Sequence, residues 1–241
     1  MAYTILNLAC GTKTSDRCIN LDWSIYLRLR KFPFGDLVAP LLCNGERLER
    51  YRSLSKNILP HNLAKGIPYA DNSIDAVYHS HFLEHLDRSV ATQFLSDVLR
   101  VLKPGGIHRI VVPDFAHDCQ MYVADFERSL ATGNGSEHEH YIATILDQIV
   151  RTESWSTAHQ SRGRRFLENL LLGDARKRGE LHRWMYDFVS LSHILKNVGF
   201  REVIRCDYQT SRVPDWSTTL LDLNEAGTEY KPSSLYVEAV K

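Results

Sequence analysis

Short apolar runs separated by turn residues, with two clear helical stripes among them, set the pattern of this chain. Tyr3-Thr4-Ile5-Leu6-Asn7-Leu8 is β-rich and halts at Cys10-Gly11-Thr12, as a buried strand ending in a tight turn does. Ile19-Asn20-Leu21-Asp22 and Asp75-Ala76-Val77-Tyr78 predict two further strands. Val90, Phe94 and Val98, with Ala91, Leu95 and Leu102, keep helical spacing. Lys103-Pro104-Gly105-Gly106 stops that helix, because proline lacks a donor and glycine accepts positive φ. Ile107 to Pro113 is apolar on both faces near its end, which predicts a parallel central strand. Ser190 is the expected N-cap of a helix with the stripe Leu191, Ile194, Leu195 and Val198, ended by Gly199-Phe200. Val203 to Cys206 and Leu235 to Val240 suit an antiparallel pair at the sheet edge. Strand, helix, strand in this rhythm is the α/β signature.

Two stretches interrupt it. Residues 24–56 lose clear periodicity and are basic, with Arg28, Arg30, Lys31, Arg47, Arg50, Arg52 and Lys56 against Asp36, Glu46 and Glu49, and are expected to form a cover insertion. Residues 116–185 carry two helical patterns, Tyr141/Ile145/Ile149 with Ile142/Leu146/Val150 and then Phe166/Leu167/Leu170/Leu171, and are expected to form a helical lid insertion. The whole chain, 1–241, is then a single domain with two insertions.

Composition narrows the classes. At 44% hydrophobic and 24% charged, the chain is neither collagen-like nor disordered. Lys and Arg number 29 against 29 Asp and Glu, so no global field favours nucleic acid or an anionic membrane. The longest apolar run falls short of the roughly 18 residues of a membrane span, and Met1 leads straight into a strand without a charged-then-apolar leader, so a cytoplasmic protein is expected. Cys10, Cys18, Cys43, Cys119 and Cys206 are odd in number and form no Cys-x-x-Cys pair, which fits reduced thiols.

A strand ending in a glycine turn and a second strand ending in an acid are the two parts an α/β fold needs to hold a nucleoside. The turn admits backbone close to the ligand, and the carboxylate accepts ribose hydroxyls. Leu6 to Thr12 and Asp22 fit those parts. Thr12 and Lys13 after Gly11 exclude the Gly-x-Gly-x-x-Gly of NAD and FAD binding, and there is no P-loop.

The stretch Asn62-Leu63-Ala64-Lys65-Gly66-Ile67-Pro68-Tyr69-Ala70-Asp71-Asn72-Ser73-Ile74-Asp75-Ala76-Val77-Tyr78-His79-Ser80-His81-Phe82-Leu83-Glu84-His85-Leu86, followed by Arg100 to Gly106, resembles the class I S-adenosylmethionine-dependent methyltransferases, type 11 group. With the ending Ser233 to Ala239, it is similar to members found in surface-polysaccharide biosynthesis loci. The resemblance implies a Rossmann-like, seven-stranded, mostly parallel sheet with an antiparallel last strand. It implies S-adenosyl-L-methionine as cofactor, with backbone at Ala9, Cys10 and Gly11 beside the methionine part and Asp22 on the ribose. Asn62 and the Leu63 amide would then read the adenine edge, and the His79 carbonyl would face the ammonium group. Asn62 and Ala9 depart from the usual Asp and Gly, and eleven positions from Gly11 to Asp22 replace the roughly 20 of a full unit, so the first crossover helix is expected to be stunted or absent.

Methyl transfer from a sulfonium needs mainly proximity and orientation, with a base where the acceptor is a hydroxyl. The candidates at the ends of the fourth and fifth strands are His81, His85 and Asp114, with His117 beside them. On a helix, His81, Glu84 and His85 would share a face and could hold a divalent metal, similar to the Glu-x-x-Glu-His of metal-dependent O-methyltransferases with His81 in place of the first Glu. Glu137 to His140 is expected to be a solvated loop entering a helix at 141. Arg162, Arg164, Arg165, Arg176, Lys177, Arg178 and Arg183 make the lid basic, suiting an anionic acceptor, and His182 to Asp187 is placed along the acceptor cleft. The function read from these features is O-methylation of a sugar or other polar metabolite. The alternatives are RNA 2′-hydroxyl methylation and a donor-binding accessory protein without catalysis.

Overall fold

The computed structural model describes residues 3–43, 45–135, 137–150 and 182–241. The lid residues Phe166, Leu167, Leu170 and Leu171 and the basic residues Arg162, Arg164, Arg165, Arg176, Lys177 and Arg178 lie outside the described residues. Among the described residues, no helix is long and apolar enough to cross a membrane.

Seven strands form one sheet: β1 (Ile5–Leu8), β2 (Ile19–Asp22), β3 (Ile58–Pro60), β4 (Ile74–Ser80), β5 (Leu102–Pro113), β6 (Glu202–Cys206) and β7 (Ser234–Val240). Their order is β3-β2-β1-β4-β5-β7-β6, with β7 antiparallel to both neighbours and the rest of the ladders parallel. The fold is therefore the expected Rossmann-like sheet with an antiparallel last strand. The late pair is antiparallel as expected, but β7 inserts between β5 and β6, so only β6 lies at the edge.

β5 begins directly after α4 (Arg88–Val101) rather than at Ile107, and its register on β4 jumps between Ile74↔Leu102 and Ala76↔Ile107. Gly106 sits at that irregularity, where a Cβ would come within 2.9 Å of the Lys103 carbonyl oxygen and 3.0 Å of that of Asp75. α4 buries Ala91, Phe94, Leu95, Val98 and Val101; Val90, assigned to the stripe from spacing, is exposed because the buried arc is centred one position further on. A second helix on this face of the sheet, α7 (Phe188–Val198), is capped by Asp187 and not by Ser190. Asp187 Oδ1 accepts from Ser190 N at 2.7 Å while Ser190 Oγ accepts from Asp187 N at 3.2 Å, a reciprocal capping box.

The opposite face has a different cover. No helix joins β1 to β2, as the short spacing predicts. Asn7 and Asn20, both buried, take over the backbone pairing that a helix would supply. Asn7 Nδ2 donates to Asn20 Oδ1 and to the Lys13 carbonyl, and Asn20 serves Ser15 N, Ser15 O and Cys18 O. The chain between β6 and β7 lays Val213, Trp216 and Leu221 against Ile5, Ala76, Tyr78 and Val111 where that helix would pack.

Three short helices fill the basic segment: α1 (Ile25–Lys31), α2 (Gly35–Leu42) and α3 (Glu46–Arg52). Leu27 of α1 joins Cys10, Leu54 and Ile58 in a small core against the ends of β1 and β3. Beyond β5, α5 (Phe115–Thr132) packs on α6 (His138–Val150). His138 and His140, expected in a loop, belong to α6, and His138 Nδ1 lies 2.9 Å from Asp125 of α5.

Candidate active site

The strand order reverses between β1 and β4, and a cavity of about 440 Å³ opens at the carboxyl ends of these two strands. Crevices of this kind at a reversal point are where open α/β sheets bind ligands. Both strands end in left-handed backbone, Ala9 at φ 51 and Gly11 at φ 55 after β1, His81 at φ 49 after β4. For the non-glycine residues this conformation costs about 1–2 kcal/mol each, and such strain gathers at functional sites. The turn is held by Cys10 N donating to the Leu21 carbonyl and Lys13 N to that of Cys10.

Three elements complete the wall. The β1–β2 turn gives residues 9–13, the helical segment gives Ser24, Tyr26, Arg50 and Leu54, and the β6–β7 connection gives Tyr230 and Lys231. Lys13 Nζ donates to the Leu223 carbonyl at 2.6 Å and stands 4.6 Å over the Tyr230 ring, which ties that connection to the turn. Among the described lining residues the charged side chains are Lys13, Arg50 and Lys231, all cationic, so the cavity is suited to a ligand carrying a carboxylate. Burial pushes the Cys10 thiol well up, which removes it as a nucleophile.

Of the residues singled out from sequence, Ala9, Cys10, Gly11 and His81 line this cavity. Asp22 ends β2 with its Oδ2 accepting from Ser24 N at 3.0 Å, and Ser24 is a lining residue. Asn62 and Leu63 follow β3, where Asn62 Oδ1 caps a short 3₁₀ turn by accepting from Ala64 N. The His79 ring points to the other face, edge-on to Phe82, Phe94 and His108, and burial pushes it down to about 3. Asp114 is committed twice: Oδ1 caps α5 through Ala116 N, and Oδ2 pairs with Arg205 Nη2 at 2.8 Å. Tyr230 and Lys231 are not among the residues singled out from sequence; the length of the β6–β7 connection is the one feature that points to them.

A second hollow of about 420 Å³ is lined by Phe115, His182, Arg183, Trp184, Met185 and Asp187, the stretch assigned to an acceptor cleft. His81 lines the first hollow, and the Glu84 carbonyl accepts from Arg183 N and Trp184 N, two residues that line the second. His81 Nε2 is 2.9 Å from Ser234 Oγ and Nδ1 is 3.5 Å from Glu84 Oε1. Burial, with Lys231, His182 and His85 adding to it, pushes His81 down to about 3, so it is neutral near pH 7. Glu84 is 1% exposed, and burial raises it to about 8. The segment around it is a 3₁₀ turn, Leu83–His85, not the helix assumed for His81, Glu84 and His85 to share a face. Instead, the structure groups Glu84 and His85 with His182.

Residues 42–110 match the family described as Methyltransferase domain. The matched stretch runs from the end of α2 into β5 and includes Arg50, Leu54, Tyr78, Ser80, His81 and Glu84. No curated protein matches the chain. Among solved structures, a SAM-dependent methyltransferase from Archaeoglobus fulgidus is 16% identical, with 100% of this chain and 86% of that one covered at a TM-score of 0.45. One from Mesorhizobium loti is 13% identical, covering 99% and 90% at 0.41, and one from Aquifex aeolicus is 13% identical, covering 99% and 81% at 0.40. At these scores the likenesses carry no argument about chemistry.

Proposed function

We propose that the protein is an S-adenosylmethionine-dependent methyltransferase that methylates a hydroxyl of a sugar or other polar metabolite. The observation that carries this reading is the cavity at the β1/β4 reversal, inside and beside the stretch that matches a methyltransferase domain. Its volume suits a nucleoside with an amino-acid tail, and Lys13, Arg50 and Lys231 suit the tail's carboxylate.

In the order β3-β2-β1, the residues after the three strands form a row along the carboxyl edge of the sheet. Asn62 and the Leu63 amide would hold the adenine, Asp22 the ribose, and the backbone of Ala9, Cys10 and Gly11 the methionine part, with the His79 carbonyl facing the ammonium group. When bound, the donor supplies an electrophilic methyl carbon on a sulfonium. This chain's part is to align the acceptor oxygen with that carbon and exclude water. His81 is the catalytic candidate that lines the donor cavity, and its neutral ring would accept the hydroxyl proton as the methyl carbon passes from sulfur to oxygen, the C–O bond forming while the C–S bond breaks. Its low basicity suffices, since the alkylated oxygen is far more acidic than an imidazolium. The helical segment 24–56 covers the donor, and the acceptor sits in the second hollow, lined by Phe115, His182, Arg183, Trp184, Met185 and Asp187.

Transfer of labelled methyl from the donor into a panel of saccharides, nucleotide-sugars and RNA tests the reading. Incorporation into a saccharide hydroxyl supports it, incorporation into RNA alone moves the acceptor class, and donor binding without transfer overturns the catalytic part. Asp22→Ala should weaken S-adenosylhomocysteine binding by about 1–3 kcal/mol, about 5- to 150-fold, through ribose hydroxyls left unpaired. Unchanged affinity by calorimetry would remove Asp22 from the site.

A further inference from the structure

Glu84 is a buried carboxyl, 1% exposed, whose side-chain oxygens have no hydrogen-bond partner among the described residues. Among those residues no lysine or arginine forms an ion pair with it; its closest charged or chargeable neighbours are imidazoles, His81 at 3.5 Å and His85 at 3.9 Å. Buried carboxylates of this kind are paired, neutralised or bound to a metal.

The backbone shows that the place is built. Arg183 N and Trp184 N both donate to the Glu84 carbonyl, at 2.7 and 3.2 Å, and this clamp sets the segment beginning at His182 against the turn Leu83–His85. The rings of His85 and His182 meet edge to face with centroids 4.9 Å apart. One ligand atom each from Glu84, His85 and His182 then lies within 4.8 Å of the others. Ligand atoms about 2.0–2.1 Å from a tetrahedral ion stand roughly 3.4 Å apart. Glu84 Oε1 and His85 Nε2, at 3.9 Å, are within side-chain adjustment of that spacing.

We propose that Glu84, His85 and His182 form a binding site for one divalent cation, zinc by preference. Two imidazoles and one carboxylate are the donors that zinc accepts, whereas magnesium favours oxygen ligands and keeps its waters. Three protein ligands leave a fourth position open, and one of the three, His182, also lines the 420 Å³ hollow. The site goes beyond the methyltransferase reading and does not rest on it.

The test is metal binding itself. Full-length protein stripped with a chelator is titrated with Zn²⁺ by calorimetry and with Co²⁺ by visible absorption. The expected result is one equivalent of zinc and the intense visible bands of tetrahedral cobalt. Glu84→Gln and His182→Ala should each weaken zinc binding by about 100-fold, while His193→Ala, at an exposed position on α7, should leave it unchanged. Should Glu84→Gln not fold, His182→Ala and His85→Ala carry the comparison, with circular dichroism confirming their structure. Absence of saturable binding, or equal affinity in wild type and the folded ligand variants, overturns the site. Neither readout involves the methyl donor, so failure here leaves the donor reading standing, and the reverse also holds.

Discussion

Arg109 is the side chain on which the sheet face covered by the β6–β7 connection depends. It is fully buried, with Nε donating to Asp222 Oδ2 at 2.8 Å and Nη1 to Glu238 Oε1 at 2.8 Å. Nη1 also reaches the Thr210 carbonyl and Nη2 that of Asp207, while Asp222 additionally accepts from Tyr78 Oη and Trp216 Nε1. Arg109→Met would leave two buried carboxylates without their cation and should cost about 3–5 kcal/mol, read as a lower urea midpoint. A loss under about 1 kcal/mol would contradict this account of the network. The buried histidines give stability a pH dependence. Burial holds His79 and His81 at about 3 and lowers His108 as well, so each is neutral in the folded state and gains a proton only on unfolding below about pH 6.5. The unfolded chain then binds more protons, and stability falls as pH drops from about 6.5 toward 3. Glu84, raised to about 8, opposes this between about pH 4.5 and 8, because its proton is held in the folded state and lost on unfolding. Three histidines against one carboxyl leave a net loss of about 2 kcal/mol or more from pH 7 to 5 in the metal-free protein. Equal urea midpoints at the two pH values would contradict it.

At the scale of elements, the unusual feature is a sheet face covered by an irregular connection where a crossover helix is missing. The absence of that helix was legible, since eleven positions cannot hold a turn, a helix and a strand. Its replacement was not, because Val213, Trp216 and Leu221 are spaced for neither a helix nor a strand, and meet β1 only through long-range folding. Arg109 was invisible for the same reason: its partners Asp222 and Glu238 are more than a hundred residues away, and His108 beside it breaks the alternation that would flag one face. Sequence pattern puts the cap of α7 three residues late, at Ser190, because both members of a capping box are good cap formers. Asp187 also lines the second hollow, so its cap joins helix stability to the shape of that hollow. Asp187→Ala should lower stability by about 0.5–2 kcal/mol, and Ser190→Ala by less, in chemical denaturation. A larger loss in Ser190→Ala would mean that Asp187 is not the cap.

For the whole molecule, the order β3-β2-β1-β4-β5-β7-β6 decides where ligand chemistry sits, because it reverses between β1 and β4 and the loops at their carboxyl ends line a cavity there. The glycine turn after β1 and His81 after β4 were readable from sequence, since strand ends and turn residues are local signals. The wall from Tyr230 and Lys231 was not, because it reaches the cavity from a remote part of the chain. The central claim is that this cavity takes S-adenosylmethionine, and the most direct measurement is thermal unfolding with S-adenosylhomocysteine or NADH present. A ligand at 100 times its dissociation constant adds about 2.7 kcal/mol, a midpoint rise of about 5–10 °C for a chain of this size. The account predicts that rise with S-adenosylhomocysteine and none with NADH. An unchanged midpoint with S-adenosylhomocysteine, or an equal rise with NADH, would contradict it.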